Sequence, residues 1–340
     1  MTDESEAAGE ASLAELRRAR ASGRRLPDFF IVGHAKCGTT AMHAMLRSHP
    51  QIFMPVRKET QFLAHDQEDA ARGGGGGPEG RPRTLEAYLS LFEAASAEQR
   101  AGEASTSYLR TPSAASRIAE LCPDARIIAV FREPASFLYS LHLQLLEVEV
   151  ENEPDFARAI GLEQQRRRGG HVPSDPVRRR ALLYSEHVRY VEQLRRFQER
   201  FGRERVLTLI YDDFRRDNVQ VVRQILRFLE VDDSVEIERE DRNPTVRVRS
   251  HRGQKLVNVV SLGRGPVSRS AKALVKTVTS DRVRRKTVNR IRRTVIVSAA
   301  QPPDEQFMLE LRRRFKGEVE ALSEHLGRDL VSLWGYDEVR

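Results

Sequence analysis

The 340-residue chain has only two cysteines, Cys37 and Cys122. That excludes a disulfide framework and a four-cysteine zinc site, and makes a reducing, cytoplasmic compartment the expectation. Long apolar runs are also missing. Stretches such as Ile127 to Phe131 last a few residues, whereas a membrane-spanning helix needs about 20. The first ten residues, Met1 to Glu10, are acidic and hold no apolar stretch, unlike a secretory leader. No convincing cluster of metal ligands stands out, so no metal is expected. One region nearly lacks acids: residues 242–300 hold 16 Lys or Arg and a single acid, Asp281.

What is present is charge, 31% of residues against 39% hydrophobic, as in a soluble globular protein. The net of +8 hides an asymmetry. Residues 242–300 carry +15, and the rest of the chain, with 41 basic and 48 acidic residues, carries −7. Such a segment favours anionic partners: a phosphorylated cofactor, an acidic substrate, a membrane surface or nucleic acid. Length permits two domains or one α/β domain with insertions.

Residues 1–26 read as a mostly disordered tail with a short helix at Leu13 to Arg20. Apolar runs at Asp28 to Val32, Arg126 to Phe131 and Arg205 to Tyr211 predict strands, with a short one at Gln51 to Met54. Helices are expected at Thr39 to Ser48, Leu85 to Phe92, Ser113 to Leu121, Ala135 to Val148, Leu182 to Phe201, after Tyr211 to Leu229, and at Asp304 to Leu326 before Gly327. Residues 66–84, with the run Gly73 to Gly77, form a flexible insertion, and 163–180 a charged loop. Strands alternating with helices predict an α/β fold: a P-loop-like domain over 27–335, its central parallel sheet flanked by helices on both faces, with a basic helical C-terminal region. Ligands in such folds sit at the carboxyl ends of the strands.

The first strand runs into Gly33-His34-Ala35-Lys36-Cys37-Gly38-Thr39-Thr40. A strand, a glycine-bounded loop and a helix cradle an anion with backbone N–H groups and the positive helix end. The pattern is close to the nucleotide P-loop GxxxxGK[ST]. Thr39, however, stands where that motif needs lysine, and the lysine has moved inside the loop as Lys36.

With these residues, PDFFIVGHAKCGTTAMHAMLRSHPQIFM resembles the donor loop of sulfotransferases that use 3′-phosphoadenosine-5′-phosphosulfate, of the bacterial and carbohydrate type. The resemblance implies that Lys36, Cys37, Gly38, Thr39 and Thr40 hold the 5′-phosphosulfate, with Lys36 neutralising the bridging oxygen. It implies that Arg132, at the end of RIIAVF, and Ser140, eight residues on, bind the 3′-phosphate. Phe137 stands where many relatives carry a second arginine. Glu59, in Arg57-Lys58-Glu59-Thr60-Gln61-Phe62, matches a glutamate that takes the acceptor's proton, and positive neighbours flank it. His34, His65 and His142 are rival bases. Gly102 to Leu109 matches a further family segment in which Ala104 replaces a lysine, arguing against a highly anionic polysaccharide acceptor. Asp212 and Asp213 are expected to be structural. Arg249 and Arg252 fall where relatives place a basic loop over the nucleotide.

The function implied is sulfuryl transfer to a hydroxyl or amine of a carbohydrate, lipid or small metabolite, releasing 3′,5′-ADP, with in-line attack and no metal or nucleic acid. Residues 254–297 follow an amphipathic, basic pattern suited to peripheral membrane contact. Two other readings stand beside it: a P-loop kinase or NTPase, and a membrane-associated binding protein acting through the basic segment.

Overall fold

The computed structural model describes residues 13–64, 81–173, 176–237 and 304–339. In chain order the elements are α1 (13–21), β1 (Phe29–Gly33), α2 (Thr39–Arg47), β2 (Ile52–Phe53), α3 (Leu85–Leu89), β3 (Arg100–Ala104), α4 (Ala114–Leu121), β4 (Arg126–Phe131) and α5 (Pro134–Glu147). They continue with α6 (Phe156–Gly161), α7 (Glu163–Arg167), α8 (Pro176–Ala181), α9 (Tyr184–His187), α10 (Tyr190–Phe201), β5 (Val206–Ile210), α11 (Tyr211–Arg216), α12 (Asn218–Phe228), α13 (Glu305–Leu326) and α14 (Leu330–Leu333). The described residues divide into two compact units, the second made of 138–173, 176–184 and 304–308.

The first unit is built on a five-stranded parallel sheet of order β2-β3-β1-β4-β5. The strands are buried on both faces, which is why they read as unbroken apolar runs. Phe29 to Val32 and Ile127 to Phe131 have no exposed surface, each Phe, Ile or Val side chain among them contributing about 1.5–3 kcal/mol. The expected α/β architecture is the observed one.

The strand pattern did not announce β3, Arg-Ala-Gly-Glu-Ala, although it lies beside β1 in the sheet. It lacks β-branched residues, and at its centre the neighbours leave no room for any side chain. A Cβ on Gly102 would fall 2.1 Å from the Phe29 ring and 2.5 Å from the Met54 sulfur.

Helix α2 leads from β1 towards β2, and α4 leads from β3 across β1 to β4. Right-handed connections running in opposite directions lie on opposite faces. Accordingly α2 packs with α12, and α4 with α10. The chain therefore leaves the adjacent strands β1 and β4 in opposite directions, which opens a crevice at their carboxyl ends.

The other end of the sheet has a cleft of about 370 Å³ lined in part by Arg25, Arg100, Arg126 and Arg205. Acids already engage these groups: Asp28 pairs with Arg25, Glu230 with Arg100 and Arg126, and Asp124 with Arg205.

The short helix expected at Leu13 to Arg20 is α1, where Leu16 is only 2% exposed and Arg17 grips Glu120 through two bonds of 2.6 and 2.9 Å. Two segments differ from expectation. The single helix expected over 182–201 is broken between α9 and α10, and Gln193 Nε2 donates to the Glu186 carbonyl at 2.8 Å beside the break. In the second unit the expected loop 163–180 contains α7 and α8. Its Arg166 is buried against Glu151 at 2.7 Å, and Tyr184 also donates to Glu151, at 3.0 Å, so the charged composition serves an internal pair.

Candidate functional site

At the carboxyl end of β1 the chain turns through Lys36, which has φ 61, and Gly38, which has φ 77. Gly38 is required twice over. Its backbone is left-handed, and a Cβ there would meet the Phe214 ring at 2.7 Å. Lys36 tolerates its sparsely populated conformation because Arg132 Nη1 donates to its carbonyl at 3.0 Å. Helix α2 then starts with no side-chain cap and no acid in its first turn, which leaves its positive end for an anion. This donor set fits a phosphosulfate.

The structure brings Lys36, Cys37, Gly38, Thr39, Thr40 and Arg132 together at the crevice between β1 and β4. Arg132 is fixed on three sides. Its guanidinium lies 4.9 Å from the centre of the Tyr211 ring, its Nε donates to Ser136 Oγ at 3.2 Å, and its Nη1 holds the loop carbonyl. Burial, with Arg132 nearby, lowers the Lys36 ammonium below the usual lysine range. Cys37 turns its side chain inward, fully buried, and burial pushes its thiol up to about 12. Only its backbone is in position to face a ligand. Ser140, on α5, belongs to the second unit. Arg249, Arg252 and His65 lie outside the described residues.

Glu59 arrives on the segment after β2. Its Oε1 accepts from Thr106 Oγ1 at 3.1 Å and its Oε2 from Gln61 Nε2 at 3.2 Å. Gln61 in turn accepts from Arg81 at 2.7 Å. Lys58, the preceding residue, places Nζ 3.8 Å from Glu59 Oε1 and donates to Thr39 Oγ1 at 2.8 Å. The carboxylate is thereby tied to the first turn of α2.

A buried carboxylate on β3 anchors this segment. Glu103 accepts from Thr60 Oγ1 at 2.8 Å, from Tyr88 and Tyr108 hydroxyls at 2.9 Å each, and from Ser105 Oγ. Burial raises the Glu103 carboxyl above the usual range, and these hydroxyl donors oppose the rise. Ser105 Oγ also accepts from the Gln61 backbone N–H at 2.9 Å, and Tyr108 OH from the Leu63 N–H at 3.2 Å. Ser105 thus belongs to the support of the Glu59 segment.

Two of the rival bases are structural. His34 is packed among Phe131, Phe137 and Tyr190 with ring centres 5.1–5.9 Å apart, and burial depresses it to about 3. His142, in the second unit, is buried and bonded to Tyr184 OH at 2.8 Å. Asp213 pairs with Arg328 and Asp212 accepts from Trp334 Nε1 at 3.0 Å, so both serve the C-terminal segment as expected. Sequence reading missed the contact of Lys58 with Thr39, the Glu103 cluster and Arg81. The local signals were the position of Lys58 directly before Glu59 and the segment Gly102 to Leu109, which carries Glu103, Ser105 and Tyr108.

No described helix is long and apolar enough to cross a membrane. The profile described as the sulfotransferase family matches residues 27–234. A bifunctional heparan sulfate N-deacetylase/N-sulfotransferase 1 of Caenorhabditis elegans is 26% identical over 213 residues, 61% of this chain and 22% of that protein. Mouse carbohydrate sulfotransferase 15 is 30% identical over 155 residues, 35% of this chain and 27% of that protein. The chain thus spans about a quarter of the length of these curated relatives. The crystal structure of a sulfotransferase from Alicyclobacillus acidocaldarius superposes with a TM-score of 0.64 at 27% identity, covering 91% of this chain and 99% of that one. Sheet order, donor loop and the matched span lead to one assignment: the chain belongs to the sulfotransferase family.

Proposed function

We propose that the chain transfers a sulfuryl group from 3′-phosphoadenosine-5′-phosphosulfate to a hydroxyl or amine acceptor. The observation that carries this reading is the linked corner Thr39–Lys58–Glu59, in which an anion cradle and a carboxylate sit side by side. The donor supplies an activated sulfur–oxygen bond whose cleavage releases 3′,5′-ADP. Lys36, the backbone N–H groups of the loop and the hydroxyls of Thr39 and Thr40 bind and neutralise the 5′ end. Arg132 offers a fixed guanidinium fork for the 3′-phosphate. Glu59, held by Thr106 and Gln61, takes the acceptor's proton as the acceptor attacks sulfur in line with the leaving phosphate. Positioning and charge supply most of the effect, as in phosphoryl transfer.

The kinase reading is disfavoured by Thr39 at the lysine position and by Asp212 and Asp213, which are committed to Trp334 and Arg328. Titration calorimetry with 3′,5′-ADP and with ATP–magnesium separates the two. Binding of the bisphosphate, together with its release from labelled donor across a panel of acceptors, is expected. Tight ATP–magnesium binding with none of the bisphosphate would overturn the reading.

A further inference from the structure

Lys58 is an unusual lysine for a loop. Its side chain is 13% exposed, and its Nζ donates to Thr39 Oγ1 at 2.8 Å and to Thr40 Oγ1 at 3.4 Å, with Glu59 Oε1 at 3.8 Å. Burial lowers the ammonium below the usual lysine range, opposed by Glu59. A buried ammonium is costly unless it is well paired. Here it is also held against the positive end of α2, where a cation is disfavoured and an anion favoured. Lys36 stands at the same helix start. Two cations at the positive end of one helix, with a single carboxylate at salt-bridge distance, are an arrangement completed by an anion.

The location is not an accident of a loose loop. Thr60 and Gln61, the residues that follow Glu59, are bonded into the Glu103 cluster through Thr60 Oγ1 at 2.8 Å and Gln61 N at 2.9 Å. The segment is thus anchored to β3.

Position within the corner decides which part of the donor Lys58 meets. The loop residues Lys36 and Gly38 define the side of the leaving phosphate. Glu59 defines the side of the acceptor, because the base must reach the atom that attacks sulfur from opposite the phosphate. Lys58 lies between the two, hydrogen-bonded to the threonines and beside the carboxylate. Given the donor and base assigned above, on which this inference rests, we propose that Lys58 is a catalytic residue whose ammonium contacts the oxygens of the transferring sulfuryl group. It supplies at the sulfuryl group the charge that Lys36 supplies at the leaving phosphate. No proton leaves Lys58, and Glu59 remains the proton acceptor.

The product bisphosphate lacks the sulfuryl group, so it separates this role from mere support of the loop. In a Lys58→Met variant, donor affinity measured without acceptor is expected to fall at least tenfold and kcat/KM by about 10²- to 10³-fold. Affinity for 3′,5′-ADP should stay within about twofold and the melting temperature should be unchanged or raised. Lys58→Arg should recover part of the donor affinity. Equal weakening for donor and bisphosphate, or no change in either, would overturn the proposal while leaving the sulfotransfer reading intact. Wild-type protein that bound neither compound would sink both.

Discussion

At the amino-terminal ends of the strands, Arg25, Arg126 and Arg205 each face a carboxylate, from Asp28, Glu230 and Asp124 respectively. At the carboxy-terminal ends, Lys36, Lys58 and Arg132 gather around the start of α2, and the one ion pair they make among the described residues is Lys58–Glu59 at 3.8 Å. The two ends belong to the same unit and the same sheet, and both are rich in cations. Where the arginines are paired with acids, the charge is internal and stabilises the strand ends. Where cations outnumber acids at an uncapped helix start, the charge is directed at a ligand. Counting arginines and lysines alone would not have distinguished the two ends; the partners do.

That contrast is sharpest in activity. Lys36→Ala is expected to lower kcat/KM for the donor by about 10³-fold or more, measured by release of 3′,5′-ADP. The melting temperature should hold or rise slightly, because a partly desolvated ammonium is removed. Glu59→Gln should lower turnover by about 10²-fold while 3′,5′-ADP affinity changes little, as expected for a general base. Wild-type turnover in that variant would remove Glu59 from the mechanism.

At the other end of the sheet the signature reverses. Asp28 accepts from Arg25 Nη2 and from the Ala101 N–H, both at 2.6 Å. Asp28→Ala should therefore cost about 1–3 kcal/mol in a denaturant titration and leave 3′,5′-ADP affinity unchanged. A loss of affinity comparable to that of Lys36→Ala would erase the distinction between the ends.

A different kind of effect is a slope in pH. His34, beside the donor loop, has a native value of about 3 against 6.5 when unfolded. Above pH 6.5 it is neutral in both states. Between pH 6.5 and 3 the unfolded chain takes up a proton that the native state refuses, so stability falls by about 1.4 kcal/mol per pH unit. His43, depressed to about 4 by burial, acts in the same direction. The melting temperature of a His34→Gln variant should decline less steeply than wild type over that window, and parallel declines would show that His34 is protonated in the fold.

Much of this was legible beforehand, and for a local reason. Phe29 to Val32 and Ile127 to Phe131 are buried on both faces and so are apolar without interruption. The donor loop is contiguous, so its glycine, lysine and threonines appear together. Strand β3 escaped notice because Gly102 must yield to Phe29 and Met54, which come from elsewhere in the chain. Nor did the helix expected over 182–201 show its break, which only the packed chain reveals.

Sequence by itself determined strands β1, β2, β4 and β5, the anion loop after β1 and the arginine after β4, because each is written in consecutive residues whose burial or backbone geometry is a local matter. Only the tertiary structure decided that Lys58 meets Thr39 across 19 positions, that Glu103 gathers Thr60, Tyr88, Ser105 and Tyr108, and that the arginines at the far end are spent on acids. Those are contacts between side chains on separate elements. Their energies depend on distance and desolvation, which exist only once the sheet has brought the elements together.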